Sequence, residues 1–220
     1  MSIISSRFVH KIPLIIFSLD MILVLSLFIA PATLEPHTVE GLDGRANMMD
    51  YQDEWRTMDP FHAAVYTFGD FNCHQRDSRS LHINGNQMPL CARDVAIFTG
   101  ILYGAVLLVR ARASDTPQDT LLGFFPRKLR KKLDGAKGIF VVLFILGLLF
   151  VPTALDGGIQ MFSKADFWPF GFEHESTNPL RVATGFPMGV SLGIVVTVLV
   201  MSLFSRRDDG SEPLLKFPVK

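Results

Sequence analysis

Residues 12–30 read IPLIIFSLDMILVLSLFIA, an apolar run whose only charged residue is Asp20. A helix needs about 20 apolar residues to cross a hydrocarbon layer of ~30 Å. Three further runs approach that length, at 92–109, 138–155 and 182–204. A small soluble core would hardly bury four such helices. The sequence therefore predicts an all-α membrane protein with four transmembrane helices.

The composition of the chain fits this class and excludes others. Of the 220 residues, 49% are hydrophobic and 19% are charged, which is too apolar for a disordered protein. The 21 Lys and Arg equal the 21 Asp and Glu, whereas a basic nucleic-acid-binding protein has a cationic excess. Two cysteines are too few for a disulfide-rich secreted fold. We expect one membrane domain over residues 1–220.

The first apolar run also has features of a signal peptide. The cations Arg7 and Lys11 precede the run, and the small residues Ala30-Pro31-Ala32 stand at its end like a cleavage site. The run is longer than the ~7–15 residues of a signal-peptide core. An uncleaved membrane anchor is therefore the preferred interpretation.

The cations are divided unequally between the segments that join the spans. The N-terminal tail 1–11, the connection 110–137 and the C-terminal tail 205–220 carry 14 of them. Segments 32–94 and 156–181 carry the other seven. The positive-inside rule predicts a multi-pass protein of the cell membrane with both termini in the cytoplasm and the loop 32–91 outside.

The connection 110–137 combines a basic run with apolar residues. This combination suits a bilayer whose inner leaflet is anionic, so that leaflet is the expected partner. A role in nucleic-acid binding is disfavoured because the run leads directly into a predicted membrane helix. The residues concerned are Leu121, Leu122, Phe124, Phe125, Arg127, Lys128, Arg130, Lys131 and Lys132.

The outer loop 32–91 is predicted to be structured. Asp59-Pro60 is a cap followed by proline, which is typical of a helix start, and apolar residues follow at helical spacing. Asn84-Gly85 between two short apolar runs indicates a β-hairpin. Cys73 and Cys91 therefore lie at either end of a compact segment that leads into the second span.

Small residues and prolines interrupt the spans. The second span contains Gly100 and Gly104, and the fourth contains a similar series that begins at Gly185. This spacing allows close helix packing, although glycine is also common in membrane helices. Pro152 and Pro187 are expected to kink their helices.

The motifs of the chain resemble those of a family of small prokaryotic membrane proteins, domain of unknown function 2085. The resemblance covers roughly residues 60–200. Its specific part comprises a Cys-His-Gln, an Arg-Ser and a Cys-x-Arg sequence, and later motifs follow near the third and fourth spans. The matching residues are Cys73-His74-Gln75, Arg79-Ser80, Met88 to Asp94, Ile97, Gly100, Asp156-Gly157, Gln160, Asn178 to Arg181 and Thr184-Gly185.

The resemblance implies a multi-pass architecture and no reaction, because the family is uncharacterised. Some members of that family have a third cysteine where Asp94 stands here. A carboxylate at this position can still bind a metal ion, but it cannot take part in a thiol relay.

The predicted topology brings three charged residues to the outer membrane boundary. Asp156 near the end of the third span is expected to pair with Arg93 or Arg181, which lie near the starts of the second and fourth spans. A structural ion-pair cluster is the simpler interpretation. In the alternative, Asp156 is a catalytic acid or base, and Arg93 and Arg181 bind an anionic group.

Three interpretations of Cys73 and Cys91 remain open from the sequence. A disulfide is allowed on the outer face. Cys73, His74, Cys91 and Asp94 also supply a ligand set that a tetrahedral zinc ion accepts, and copper would need Met88 as well. The third interpretation is a pair of free or redox-active thiols.

These observations leave functions of different classes. The preferred one is a structural or accessory membrane protein with an outer-face cluster of Cys, His, Asp and Arg side chains. The alternatives are a zinc-dependent, hydrolase-like membrane enzyme and a thiol-redox protein that uses Cys73, His74 and Cys91. A third alternative is a small ion or proton transporter based on Asp20, because an acid at membrane depth is costly and usually functional.

Overall fold

The structure, a computed structural model, describes residues 9–45, 48–109, 111, 116–123, 125–133, 136–163 and 174–208. Much of the predicted tail 205–220 and parts of segments 110–137 and 156–181 lie outside the described residues. The described chain is mostly helical, with one two-stranded sheet. Its elements are α1 (Ile12–Thr33), α2 (Gln52–Trp55), α3 (Pro60–Asn72), β1 (Ser80–Ile83), β2 (Asn86–Cys91), α4 (Ala92–Leu107), α5 (Pro117–Gly123), α6 (Arg127–Leu133), α7 (Ala136–Leu148), α8 (Val151–Ser163) and α9 (Asn178–Asp208).

Within the described ranges, three helical stretches are long and apolar enough to cross a membrane: Ile12–Thr33, Gly138–Ser163 and Asn178–Phe204. They overlap three of the four predicted spans. The remaining prediction, 92–109, corresponds to α4, whose 16 residues fall short of the about 20 that a full crossing needs. The count of four spans is therefore not confirmed and stays a prediction.

The spanning helices extend beyond the predicted runs. The third stretch continues to Ser163 instead of 155. The last begins at Asn178, four residues before the apolar run at 182, and this start agrees with the cap followed by proline that Asn178-Pro179 forms in the sequence. A search for apolar runs stops at polar residues such as Asp156 and Arg181. In the structure these side chains are buried and have polar partners, so the helices continue through them.

Helices α4 and α9 run in the same direction and contact each other through glycines. A Cβ atom on Gly189 would lie 2.1 Å from the Ile97 carbonyl oxygen, and one on Gly100 would lie 2.4 Å from the Phe186 carbonyl oxygen. The next glycine on each helix continues this contact. The glycine spacing thus reflects close backbone packing, which no larger residue would allow.

The third apolar stretch is interrupted just before Pro152, where the sequence predicted a kink. Helix α7 ends at Leu148 and α8 begins at Val151. Pro152 has no N–H to donate to the carbonyl four residues earlier. The chain tightens at this point, and the Phe150 N–H donates to the Gly147 carbonyl oxygen at 3.0 Å. Pro187, in contrast, lies inside a continuous α9.

The loop 32–91, which we call the outer segment after its predicted location, contains the predicted hairpin. Strands β1 and β2 are antiparallel, and Asn84 and Gly85 in the turn both have positive φ, of 54° and 74°. Two consecutive residues with positive φ are typical of a type I′ turn, for which Asn-Gly is the preferred sequence. The hairpin prediction is confirmed.

Buried amide side chains attach the segment 34–45 to the hairpin. The Asn86 Oδ1 atom accepts hydrogen bonds from the N–H groups of Thr38 and Val39, at 2.8 and 3.0 Å. The Asn86 Nδ2 group donates to the carbonyl oxygens of Pro31 and Glu35. The loop is therefore held by directional bonds as well as by apolar contacts.

Helix α3 begins as predicted and packs under this loop. Its Asp59 cap accepts hydrogen bonds from the N–H groups of Phe61 and His62. Further along, the buried Asp70 carboxylate accepts from the indole Nε1 of Trp55 at 3.1 Å and from two backbone N–H groups. The Trp55 ring stacks on Tyr66. The outer segment thus has a small core of its own.

Candidate functional site

Cys73, Cys91 and Asp94 meet where the outer segment enters α4. Cys73 is the C-cap residue of α3. Cys91 is the last residue of β2 and the N-cap residue of α4. Asp94 lies in the first turn of α4, three residues after Cys91. One sulfur atom of each cysteine and one Asp94 carboxylate oxygen lie within 4.8 Å of one another.

The two cysteines do not form a disulfide, and hydrogen bonds connect Cys91 to Cys73 and to Asp94. The Cys91 N–H donates to the Cys73 Sγ at 3.4 Å, and the Cys91 Sγ–H donates to the Asp94 Oδ2 at 3.1 Å. Hydrogen bonding with the Cys91 thiol lowers the pKa of Cys73. The same bond, together with burial and the Asp94 charge, raises the pKa of Cys91. The pair is therefore asymmetric, and Cys73 is the more acidic thiol.

His74 lies outside this group. Its side chain is exposed, whereas its neighbours Cys73 and Gln75 are buried. Gln75 has a φ of 46°, so the chain turns at this point and its side chain points inward. Desolvation lowers the pKa of His74, and the positive charges of Arg76 and Arg79 lower it further. The imidazole is therefore neutral at neutral pH.

Met88, the sequence candidate for a copper ligand, is fully buried. It belongs to the same apolar cluster as Cys73, with Leu27 of α1 and Trp55 among its members. Its thioether is in an apolar core, which is the usual location of a packing methionine.

Asp156 is the centre of a set of polar contacts between α8 and the start of α9. Its carboxylate pairs with the Arg93 guanidinium at 2.5 Å and with the His174 Nε2 at 3.2 Å. The Ser176 hydroxyl donates to the Asp156 Oδ2 at 2.7 Å. Of the two arginines expected as partners, Arg93 is the one that contacts Asp156.

Arg181 contacts different groups. The guanidinium is 2% exposed, and its Nη2 donates to Glu175 at 3.0 Å and to the Gln160 side chain at 3.3 Å. Glu175 also accepts a hydrogen bond at 3.0 Å from the Nε of Arg79, the residue just before β1. We call these side chains the polar layer: Arg79, Arg93, Asp156, Gln160, His174, Glu175, Ser176 and Arg181.

Sequence reasoning missed three members of the polar layer. His174, Glu175 and Ser176 lie just before Asn178, where α9 begins. A signal was present, because residues next to a helix N-terminus at the outer boundary must face the other helix ends located there.

Asp20 lies inside the bundle, away from both groups. It is 9% exposed on the face of α1 that includes Val24 and Leu27. Its Oδ2 atom has no hydrogen-bond partner among the described residues.

The comparisons with known proteins agree with the motifs. Residues 73–195 match the family described as predicted membrane protein DUF2085. An uncharacterized protein of Methanocaldococcus jannaschii is 27% identical over 143 residues, which is 65% of this chain and 72% of that protein. An uncharacterized protein of Methanothermobacter thermautotrophicus is 28% identical over 131 residues, covering 58% of this chain and 86% of the relative.

No solved structure matches the chain. The family match spans more than half of the sequence and includes Cys73, Cys91, Asp156 and Arg181. The chain belongs to the DUF2085 family of predicted membrane proteins.

Proposed function

We propose that this membrane protein binds a zinc ion through Cys73, Cys91 and Asp94, and that the ion has a structural role in an accessory protein. The observation that supports the proposal is the mutual distance of the three ligand atoms, all within 4.8 Å of one another. Ligand atoms around a tetrahedral zinc ion lie about 3–4 Å apart, given metal–ligand distances of about 2.0–2.3 Å. Small side-chain movements would complete the site.

The chemistry of the set suits zinc. Zinc accepts thiolate and carboxylate ligands together, and three protein ligands leave one position for water or a further side chain. His74 is the neighbouring residue that could take this fourth position after a change of side-chain rotamer. The thiols must lose their protons when the ion binds.

A structural role follows from what the ligands connect. Cys73 ends α3, and Cys91 and Asp94 begin α4, so the ion would join the outer segment to the bundle. The contacts of the polar layer support the same interpretation. Asp156 pairs with Arg93 and accepts a hydrogen bond from Ser176, and Arg181 pairs with Glu175. Because these charged groups already have partners, structural ion pairs are favoured over a catalytic acid and an anion-binding site.

Metal analysis of the full-length protein, purified in detergent without chelators, tests this function. We expect about one zinc per chain, and its loss in Cys73→Ser and in Asp94→Ala. His82→Ala is the matched control, because His82 is exposed and pairs with Asp77 outside the site. His74→Ala distinguishes the fourth ligand, since water at that position predicts full stoichiometry. Wild-type protein that remains metal-free in excess zinc would contradict the proposal.

A thiol-redox function is the second candidate, and the contact between Cys91 and Cys73 favours it. Oxidation would join the sulfurs and prevent zinc binding. Thiol labelling of the same sample, with and without reductant, separates the two functions. Labelling of both cysteines after metal removal without reductant supports the zinc site. Labelling that requires reductant supports the disulfide.

We also propose that α4 crosses the membrane as a fourth span, with both termini in the cytoplasm. The distribution of cations supports this topology, and α4 packs closely on α9, which is long and apolar enough to cross a membrane. Impermeant thiol reagents applied to intact cells test it, using single cysteines introduced at Ser78 and at Gln118 in a Cys73→Ser/Cys91→Ser background. The proposal requires labelling at position 78 alone, and labelling at both positions contradicts it.

A further inference from the structure

Two apolar cavities lie side by side at the end of the bundle opposite the polar layer. One, of about 460 Å³, lies between α5, α7 and α9, and the other, of about 220 Å³, lies between α4, α5 and α7. Leu121 and Leu146 line both cavities and separate them. Together they have the volume of a small-molecule site, which is typically about 300–1,000 Å³.

The cavities are located in membrane-spanning segments whose outer surfaces are apolar. Leu143, Ile145 and Leu199 line them and are also about half exposed. In a membrane, such surfaces contact the hydrocarbon chains of the lipids. An apolar chain is therefore the chemistry that fits the interior of both cavities.

The larger cavity has a polar boundary next to a cationic helix. Thr116 and Gln118 lie at one edge of its lining. Helix α6 follows α5 and contains no acidic residue, and its Lys128, Arg130, Lys131 and Lys132 are exposed.

Helix α6 is attached to the cavity walls. Its Leu133 packs against the apolar cluster that contains Leu121, Val142 and Leu146, three residues that line the cavities. The Asp119 carboxylate on α5 accepts a hydrogen bond from the Thr116 hydroxyl. Among the residues that the structure describes, the four exposed cations of α6 form no ion pair, so they are available to an external anion. Basic sites next to membrane helices bind anionic lipid head groups.

We infer that the paired cavities and α6 form a binding site for one two-chain anionic phospholipid. One acyl chain occupies each cavity, Leu121 and Leu146 lie between the chains, and the phosphate contacts the cations of α6. A single fatty acid would leave one cavity empty, and a zwitterionic lipid would not use the charge. The site is separate from the zinc site.

Native mass spectrometry of delipidated full-length protein tests this inference with three probes of equal chain type. The probes are dioleoyl phosphatidylglycerol, dioleoyl phosphatidylcholine and the single-chain oleoyl lysophosphatidylglycerol. We expect one tightly bound phosphatidylglycerol. Each cation near the phosphate is expected to contribute about a fivefold gain in affinity over phosphatidylcholine.

Variants separate the head-group contact from the chain contact. Lys128→Gln/Arg130→Gln/Lys131→Gln/Lys132→Gln should reduce phosphatidylglycerol affinity to that of phosphatidylcholine. The control Arg45→Gln/Arg56→Gln, which removes exposed cations from the outer segment, should leave it unchanged. Leu121→Trp should weaken both two-chain lipids equally, with folding checked by thermal unfolding.

Two outcomes would overturn the inference. One is unchanged binding of phosphatidylglycerol by the four-cation variant. The other is equal affinity for the single-chain and two-chain anionic lipids.

Discussion

The two ends of the bundle are held together by different kinds of contact. At the polar end, which contains the polar layer, ion pairs and side-chain hydrogen bonds connect α4, α8 and α9. At the apolar end, which contains α5, α6 and the start of α7, contacts are mainly between aliphatic side chains around two cavities. Directional bonds fix the relative positions of helix ends, whereas aliphatic surfaces leave volume for lipid. The candidate metal site lies at the end with the fixed geometry.

Loss of Arg181 should have the largest effect. Arg181→Ala removes a buried cation and leaves the Ser176 carbonyl and the Gln160 side chain without this donor. Glu175 is 45% exposed and keeps Arg79 as a partner, so the cost comes mainly from the lost hydrogen bonds of the charged guanidinium, at about 1.5–3 kcal/mol each. Thermal unfolding in detergent, followed by circular dichroism, would measure the loss. Lys131→Ala at the apolar end is the control, and equal unfolding temperatures for both variants would break the comparison.

Gly189→Ala tests the packing that connects the two ends. The added methyl group would overlap the Ile97 carbonyl oxygen, and overpacking of this kind costs about 1–3 kcal/mol. The control is Gly158→Ala, because no atom lies within 4 Å of a Cβ at that position. A lower unfolding temperature is expected for the Gly189 variant alone. The same change in both variants would indicate that α4 and α9 do not depend on this contact.

Asn86→Ala should loosen the outer segment next to the polar end. The side chain provides both acceptor and donor bonds to the segment 34–45, and their loss should cost about 2 kcal/mol. Limited trypsin digestion would detect faster cleavage after Arg45. Asn72→Ala is the matched control, since within the described part of the chain its amide bonds only to the Phe68 carbonyl of its own helix. Unchanged cleavage of the Asn86 variant would show that the loop does not depend on the hydrogen bonds of Asn86.

The smallest effect is expected at the apolar end. The Ser202 hydroxyl contacts the Thr120 hydroxyl at 3.2 Å and thereby links α9 to α5. Ser202→Ala should lower the free energy of unfolding by about 0.5–1.5 kcal/mol. Ser26→Ala, whose hydroxyl bonds within α1, is the control in the same thermal unfolding measurement. A loss for Ser202→Ala as large as that for Arg181→Ala would contradict the contrast between the ends.

Local features of this fold were predictable because they depend on neighbouring residues. The Asp59-Pro60 helix start and the Asn84-Gly85 turn each follow from a few consecutive side chains and were found as predicted. The interruption before Pro152 has the same kind of local cause. The contact of Cys73 with Cys91 was expected from their positions at the two ends of one compact segment.

Long-range polar contacts were not predictable from the sequence. The Asn178 side chain donates to the Ser80 carbonyl oxygen, and Arg79 donates to Glu175, across sequence separations of 98 and 96 residues. No periodicity marks such pairs, because each depends on how several helix ends converge. The buried amides Asn86 and Gln87 were missed for a related reason. The polar sequence around them resembles that of an exposed loop, although both side chains are buried.

The glycine contact between α4 and α9 also sets an order of events during synthesis. Helix α4 ends at Leu107, and α9 begins at Asn178, so α4 leaves the ribosome long before its partner. At about 5–20 residues per second, this interval lasts several seconds. During that time the glycines of the 16-residue α4 lack their partner, although α1, which α4 also contacts, has already been synthesised. The contact between α4 and α9 therefore forms only after α9 has been synthesised.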